Sequence, residues 1–202
     1  RSLSPPRNWS WTRQGERLRK YSKPQVFLQK ISWPGFKKNG KKSIKKPMAK
    51  RSVRLFLDSN VILSGLLSDR GAPRIILDLL NLGFPFLTGS TGRYNVIEIE
   101  RNLKKRMPDV WPVYKRYLPR LNLMVIPMPQ PEELREFSGK MVDKDIPVLV
   151  SAIRAKADFL ITGDKRHFGK LKGVEKYQLT IVTPSEFVDS ILPDILKDLE
   201  PT

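Results

Sequence analysis

From residue 53 onward, short apolar runs alternate with longer stretches whose apolar positions repeat every three to four residues. The runs are "VRLFL", "FPFLTGS", "LMVIP", "DFLIT" and "LTIVT", each brief and bounded by turn formers, and they predict five strands. Between them, Asn60 to Leu67, Pro73 to Leu82, Tyr94 to Arg106, Trp111 to Leu118, "PEELREF", Pro147 to Lys156 and Pro184 to Leu192 predict helices. Several carry Pro in the first turn, where its missing N–H costs nothing, and "PEELREF" has acids where the helix dipole prefers them. Strands alternating with helices predict an α/β fold of three layers, with a central, mostly parallel sheet flanked by helices.

Residues 1–47 show neither period. Their prolines, glycines and basic pairs predict a disordered basic extension, and 48–202 a single domain. The extension is either a nucleic-acid arm, with Trp9, Trp11, Tyr21 and Trp33 to stack on bases, or a leader outside the working protein. "MAKRSVRLFLDSNV" from Met48 reads like a start leading straight into the first strand.

Charge sharpens that division. The chain carries +18, and residues 1–47 supply 14 Lys or Arg against Glu16 alone, leaving +5 for the remainder. No apolar stretch approaches the roughly 20 residues needed to span a bilayer, so no membrane role is expected. Cysteine is absent and His167 is the single histidine, which excludes disulfides, thiolate catalysis and Cys- or His-rich metal sites. Any metal must be held by oxygen.

In open parallel sheets, ligands bind beyond the carboxyl ends of the strands. Asp58 directly follows "RLFL", and Asp164 follows "DFLIT" through Gly163. Glu98 in "YNVIEIERNL" and Asp145 before Pro147 can reach the same edge from helices. Singly, each has a plainer role: Asp58 and Asp145 as helix caps, Glu98 as a solvated charge. Together, four converging carboxylates would repel severely unless a cation sat among them.

"FLDSNVILSGLLSDRGAPRIIL", "YNVIEIERNL" and "DKDIPVLVSAIRAKADFLITGDKRHFG", followed by "IVTPSEF", resemble the successive motifs of the PIN-domain family, metal-dependent ribonucleases that include many toxins of toxin–antitoxin pairs. The resemblance runs from about Val53 to Phe187. It implies an acidic site at Asp58, Glu98, Asp145 and Asp164, with Asn60 alongside and a hydroxyl helper at Ser90 or Thr91, although alignment on Tyr94 puts Gly92 there. Glu100 competes with Glu98, and Asp143 with Asp145. The implied cofactor is Mg²⁺ or Mn²⁺, and the implied reaction is hydrolysis of RNA to 5′-phosphate and 3′-hydroxyl ends. Lys165 and Arg166 are the candidates for holding substrate phosphates. The resemblance further implies a cognate antitoxin, a homodimer and a cytoplasmic location.

His167 could protonate a leaving group or simply pack after the strand, and the metal chemistry does not require it. Two other classes stay open. A haloacid-dehalogenase-like phosphatase also places Asp after its first strand, but Asn60 stands where its second Asp belongs. A module that binds RNA or an antitoxin without cutting is the other.

Overall fold

A computed structural model describes residues 52–168 and 174–197. The expectations for residues 1–47 lie outside the described residues. The order begins β1 (Val53–Leu57), α1 (Ser59–Leu67), α2 (Ala72–Asn81), β2 (Leu87–Gly92), α3 (Arg93–Arg106). It continues α4 (Trp111–Tyr117), β3 (Met124–Ile126), α5 (Pro131–Arg135), α6 (Ile146–Arg154), β4 (Phe159–Ile161), α7 (Lys165–Phe168), β5 (Thr180–Val182) and α8 (Pro184–Glu186). A π-helical turn, Phe187–Ile191, then leads into α9 (Leu192–Lys197).

The five strands form one sheet in the order β3-β2-β1-β4-β5, and every neighbouring pair is parallel. From β1 the chain steps outward to β2 and β3, then crosses back to β4 and β5 on the other side. The switch in direction therefore falls between β1 and β4, where Leu57 stands beside Ile161. Ligand crevices of open parallel sheets form at such a switch.

β1 is central and its Leu55, Phe56 and Leu57 are all fully buried. Successive strand side chains point to opposite faces, so apolar residues at three consecutive positions require both faces to be covered. Phe56 packs with Leu149, Val148 and Ala152 of α6, Leu160 of β4 and Phe137. Each of these side chains larger than Ala contributes about 1.5–3 kcal/mol by leaving water.

Two boundaries differ by three residues or more from the pattern-based reading. β2 begins at Leu87 and not at Phe84, because Pro85 cannot donate to a ladder, and Phe84 and Phe86 instead stack on each other with centroids 5.1 Å apart. The closing helix runs to Lys197, widened through the π turn over Phe187–Ile191.

Where α1 crosses α2, the contact is backbone-close. A Cβ at Gly65 would sit 2.8 Å from the Pro73 carbonyl oxygen and 2.6 Å from Leu77 Cδ1. Gly65→Ala gains up to about 1 kcal/mol of helix propensity, but overpacking costs about 1–3 kcal/mol, and a backbone carbonyl cannot turn aside. The expected result is a lower melting temperature, read by thermal denaturation.

Candidate active site

Asp58 is the first residue beyond β1 and the N-cap of α1, and its side chain accepts from Ser59 N at 2.7 Å. The capping role and the site role therefore coexist in one carboxylate. Four donors converge on it. Ser59 N and Asn95 Nδ2, at 3.0 Å, serve Oδ1; Thr162 Oγ1, at 2.8 Å, and Asn60 Nδ2, at 3.0 Å, serve Oδ2. The residue is only 6% exposed, and burial raises its pKa from 3.8 to about 6 in spite of the hydrogen bonds from Thr162 and Ser59 that pull it down. Glu98 adds a repulsive charge that also raises it.

Polar residues carry Asp58 outward to two of the other acids. The Ser59 hydroxyl lies 2.5 Å from Glu98 Oε2 and 3.3 Å from Asp58 Oδ1; its single proton goes to the nearer oxygen, so Ser59 donates to Glu98. Asn60 Nδ2, with two protons, reaches Asp58 Oδ2 and, at 3.4 Å, Asp164 Oδ2, while its Oδ1 accepts from Gly163 N. Thr162 Oγ1 accepts from Asp164 N as it donates to Asp58. Asn60 thus stands between Asp58 and Asp164.

Asp145 precedes α6 but, unlike Asp58, makes no side-chain cap bond. Its Oδ2 instead faces His167 Nδ1 at 3.1 Å, off the line of the ring N–H, and neither atom has another partner. Burial raises the Asp145 pKa, with Lys144 and His167 opposing and Asp164 reinforcing the shift. Tyr94 is pushed up by burial and by the charges of Glu98 and Asp145, which places that ring within the field of both. The charges thus couple in pairs: Glu98 acts on Asp58, Asp164 on Asp145, and Glu98 and Asp145 both on Tyr94.

The rivals separate as well. Glu98 contacts Ser59, whereas Glu100 acts on Tyr114. Asp143 is exposed in the turn before α6. Ser90 does not reach the acids with its hydroxyl, which donates to Leu55 O; Thr91 likewise donates to Leu57 O, so both hold strands together. Lys165 is ion-paired with Glu186 at 2.8 Å, and Arg166 is exposed.

Pattern reading missed Ser59, Asn95 and Thr162. Asn95 is fully buried, with Nδ2 on Asp58 and Oδ1 unpartnered. Its signal was spacing: Asn95 and Glu98, three apart on α3, lie on one helix face. Gly92 leaves room for it, since a Cβ there would meet Asn95 Oδ1 at 2.8 Å.

Among the described residues, no three His, Cys, Asp or Glu side chains lie close enough together to form a group that could hold a metal ion. Glu98, Asp58 and Asp164 form a line bridged by Ser59 and Asn60, and Asp145 stands against His167. The chemistry of these acids nevertheless fits a hard divalent cation: the donors are all oxygens, and Asp145 Oδ2 is buried without a full hydrogen bond.

A family model described as "PIN domain" matches residues 54–166. No curated protein matches the chain. Among solved structures, it is similar to VapBC2 from Rickettsia felis bound to a DNA fragment from their promoter, at 16% identity and a TM-score of 0.49, covering 65% of this chain and 98% of that one. It is also similar to FitAB bound to an IR36 DNA fragment, at 15% identity and a TM-score of 0.38, covering 64% of this chain and 94% of that one.

Proposed function

The chain belongs to the PIN-domain family, and from that membership we propose that it is a metal-dependent endoribonuclease whose acidic site is Asp58, Glu98, Asp145 and Asp164. The observation that carries this reading is the buried, four-donor seat of Asp58 at the β1/β4 switch, joined through Ser59 and Asn60 to Glu98 and Asp164. A carboxylate raised to about 6 by burial is costly to keep charged, and a site that draws a cation is a reason to keep it.

Asp58, Glu98, Asp145 and Asp164 would hold Mg²⁺ or Mn²⁺. Bound there, the cation supplies a water of lowered pKa and neutralises charge developing on the phosphodiester. The rest falls to the chain's own groups. Asn95, Thr162, Asn60 and Ser59 N fix both oxygens of Asp58 in one orientation, so no rotamer freedom is lost when a ligand arrives. Ser59 turns Glu98 toward the same point, and His167 stands against Asp145. Arg166, exposed beside Asp164, is the readier of the two phosphate-holding candidates, because Lys165 must first leave Glu186.

The role of a toxin, with an antitoxin as partner, a homodimer as assembly and the cytoplasm as location, belongs to the same reading and rests on the sequence resemblance. Among the described residues, no helix is long and apolar enough to cross a membrane.

The test is incubation of the full chain with structured and unstructured RNAs in Mn²⁺ or in EDTA, followed by analysis of product ends. Cleavage in Mn²⁺ leaving 5′-phosphate and 3′-hydroxyl, and none in EDTA, is expected. Full cleavage in chelator removes the metal from the mechanism, and release of phosphate from a small ester without RNA cleavage returns the phosphatase reading.

A further inference from the structure

Unpaired cations of the described chain gather most densely in one segment. Arg54, Arg74, Arg154 and Lys176, among others, each stand against a carboxylate. From Arg93 to Arg120 no Lys or Arg has an ion pair with a carboxylate among the described residues; Arg135, Lys140, Lys144, Lys156 and Arg166 also lack one, but they are spread along the chain and not gathered in one run. Residues 93–120 hold eight Lys or Arg against three acids, a surplus of +5. Residues 48–202 hold 24 against 19, also +5, so this segment accounts for their whole surplus.

The segment is one surface. Lys104 of α3 and Lys115 of α4 lie over the same Trp111 ring, 4.5 and 5.6 Å from its centroid, which draws the basic end of one helix onto the other. On α3, Arg101 and Lys105 follow Glu98 at three and seven residues, hence on the same helix face, and Lys105 lies about 10 Å along the axis from Glu98. Arg101 also acts on Tyr94, which lies in the field of Glu98 and Asp145. A row of unpaired cations therefore starts at the acidic edge and runs out along α3 to α4.

We propose that this row, Arg101, Lys105, Lys104 and Lys115, is the track that holds the sugar–phosphate backbone of the RNA substrate as it leaves the acids. The inference rests on the nuclease reading above. Unpaired, exposed cations leading into a site for a phosphodiester match a polyanion of repeating charge, and lysine meets phosphate as a point charge. The Trp111 face is already occupied by two ammonium groups, so it offers no stacking platform. The track therefore positions RNA without reading its bases.

The test compares the full chain, a triple variant (Lys104→Gln, Lys105→Gln, Lys115→Gln) and a control triple from elsewhere on the surface (Arg135→Gln, Lys140→Gln, Lys156→Gln). Each variant loses the same charge, and melting curves establish that both fold. Binding to a single-stranded RNA is measured in EDTA over a salt series, and cleavage kinetics in Mn²⁺. At about 0.7 per single-strand phosphate contact, the track variant should lose about 2 from the slope of log K against log salt. The control should lose much less, and the track variant should show a raised KM with kcat nearly kept. The basic residues 1–47 add equally to all three proteins and cancel. Equal losses in both triples, or a parental slope in the track variant while the parent still cuts RNA, overturn the proposal. Intact RNA binding with lost binding of polyglutamate assigns the surface to an acidic protein and also overturns it. If the parent neither binds nor cuts RNA, the nuclease reading falls and the track with it.

Discussion

Replacing Asp58 with Asn should lower RNA cleavage by about a hundredfold or more, while leaving the metal-free fold at least as stable as the parent. Changing a group that merely orients a metal ligand costs about 10–100-fold in affinity or activity, so a direct ligand sets that as the lower bound. The stability half follows from the seat. Asn is close in shape to Asp and removes the buried charge; its carbonyl oxygen keeps the Ser59 and Asn95 donors, and its NH2 turns to the Thr162 hydroxyl, whose oxygen can accept. A pKa raised to about 6 by burial means that Asp58 is still charged at neutral pH but holds that charge at a cost the unfolded chain does not bear, and Asn escapes that cost. A cap-only role for Asp58 predicts otherwise: Asn caps helices about as well as Asp, so cleavage would be untouched. Cleavage at the parental rate would remove Asp58 from the site.

The same seat makes the metal-free protein sensitive to pH. The unfolded chain titrates Asp58 near 3.8 and the folded chain near 6, because burial disfavours the carboxylate. Between those values the folded state binds the proton more tightly. The contribution of Asp58 to stability is thus fully present below about pH 3.8 and is lost as pH rises through about 6, amounting to about 3 kcal/mol. Denaturant unfolding in EDTA from pH 3.5 to 7, on the parent and on Asp58→Asn, isolates this group, since the other carboxylates titrate in both proteins. The parent should lose stability relative to the variant across that window and stay level above it. A difference that does not change with pH contradicts the buried-charge account.

The alternation of strands and helices was legible because a parallel sheet buried on both faces needs uninterrupted apolar runs, and "VRLFL" or "LTIVT" cannot serve as anything else of that length. Edges were less legible. Phe84 and Phe86 look like strand residues, yet Pro85 between them bars the ladder, and nothing local announces the π turn at Phe187. Asp58 and Asp164 could be picked out because a charge at the end of an apolar strand is out of place. Glu98 and Asp145 could not be separated from neighbouring acids by pattern alone; the motif resemblance chose them, and the structure gives Glu98 a contact with Ser59 and Asp145 one with His167. Asn95 and Thr162 were invisible for the opposite reason. A single neutral polar residue in a helix or after a strand is ordinary, and only the tertiary approach of α3 to the end of β1 buries Asn95 against Asp58.

The central claim is that the acids at the β1/β4 edge act together on a divalent cation, and calorimetric titration of Mn²⁺ into the metal-free full chain addresses it without reference to activity. The parent should bind Mn²⁺ saturably, and Asp58→Asn and Asp164→Asn should each weaken binding by about tenfold or more. A ligand stabilises only the state that binds it, so Mn²⁺ should raise the parent's melting temperature far more than that of either variant. Equal Mn²⁺ affinity in the parent and both variants, or no binding by the parent, would contradict the account.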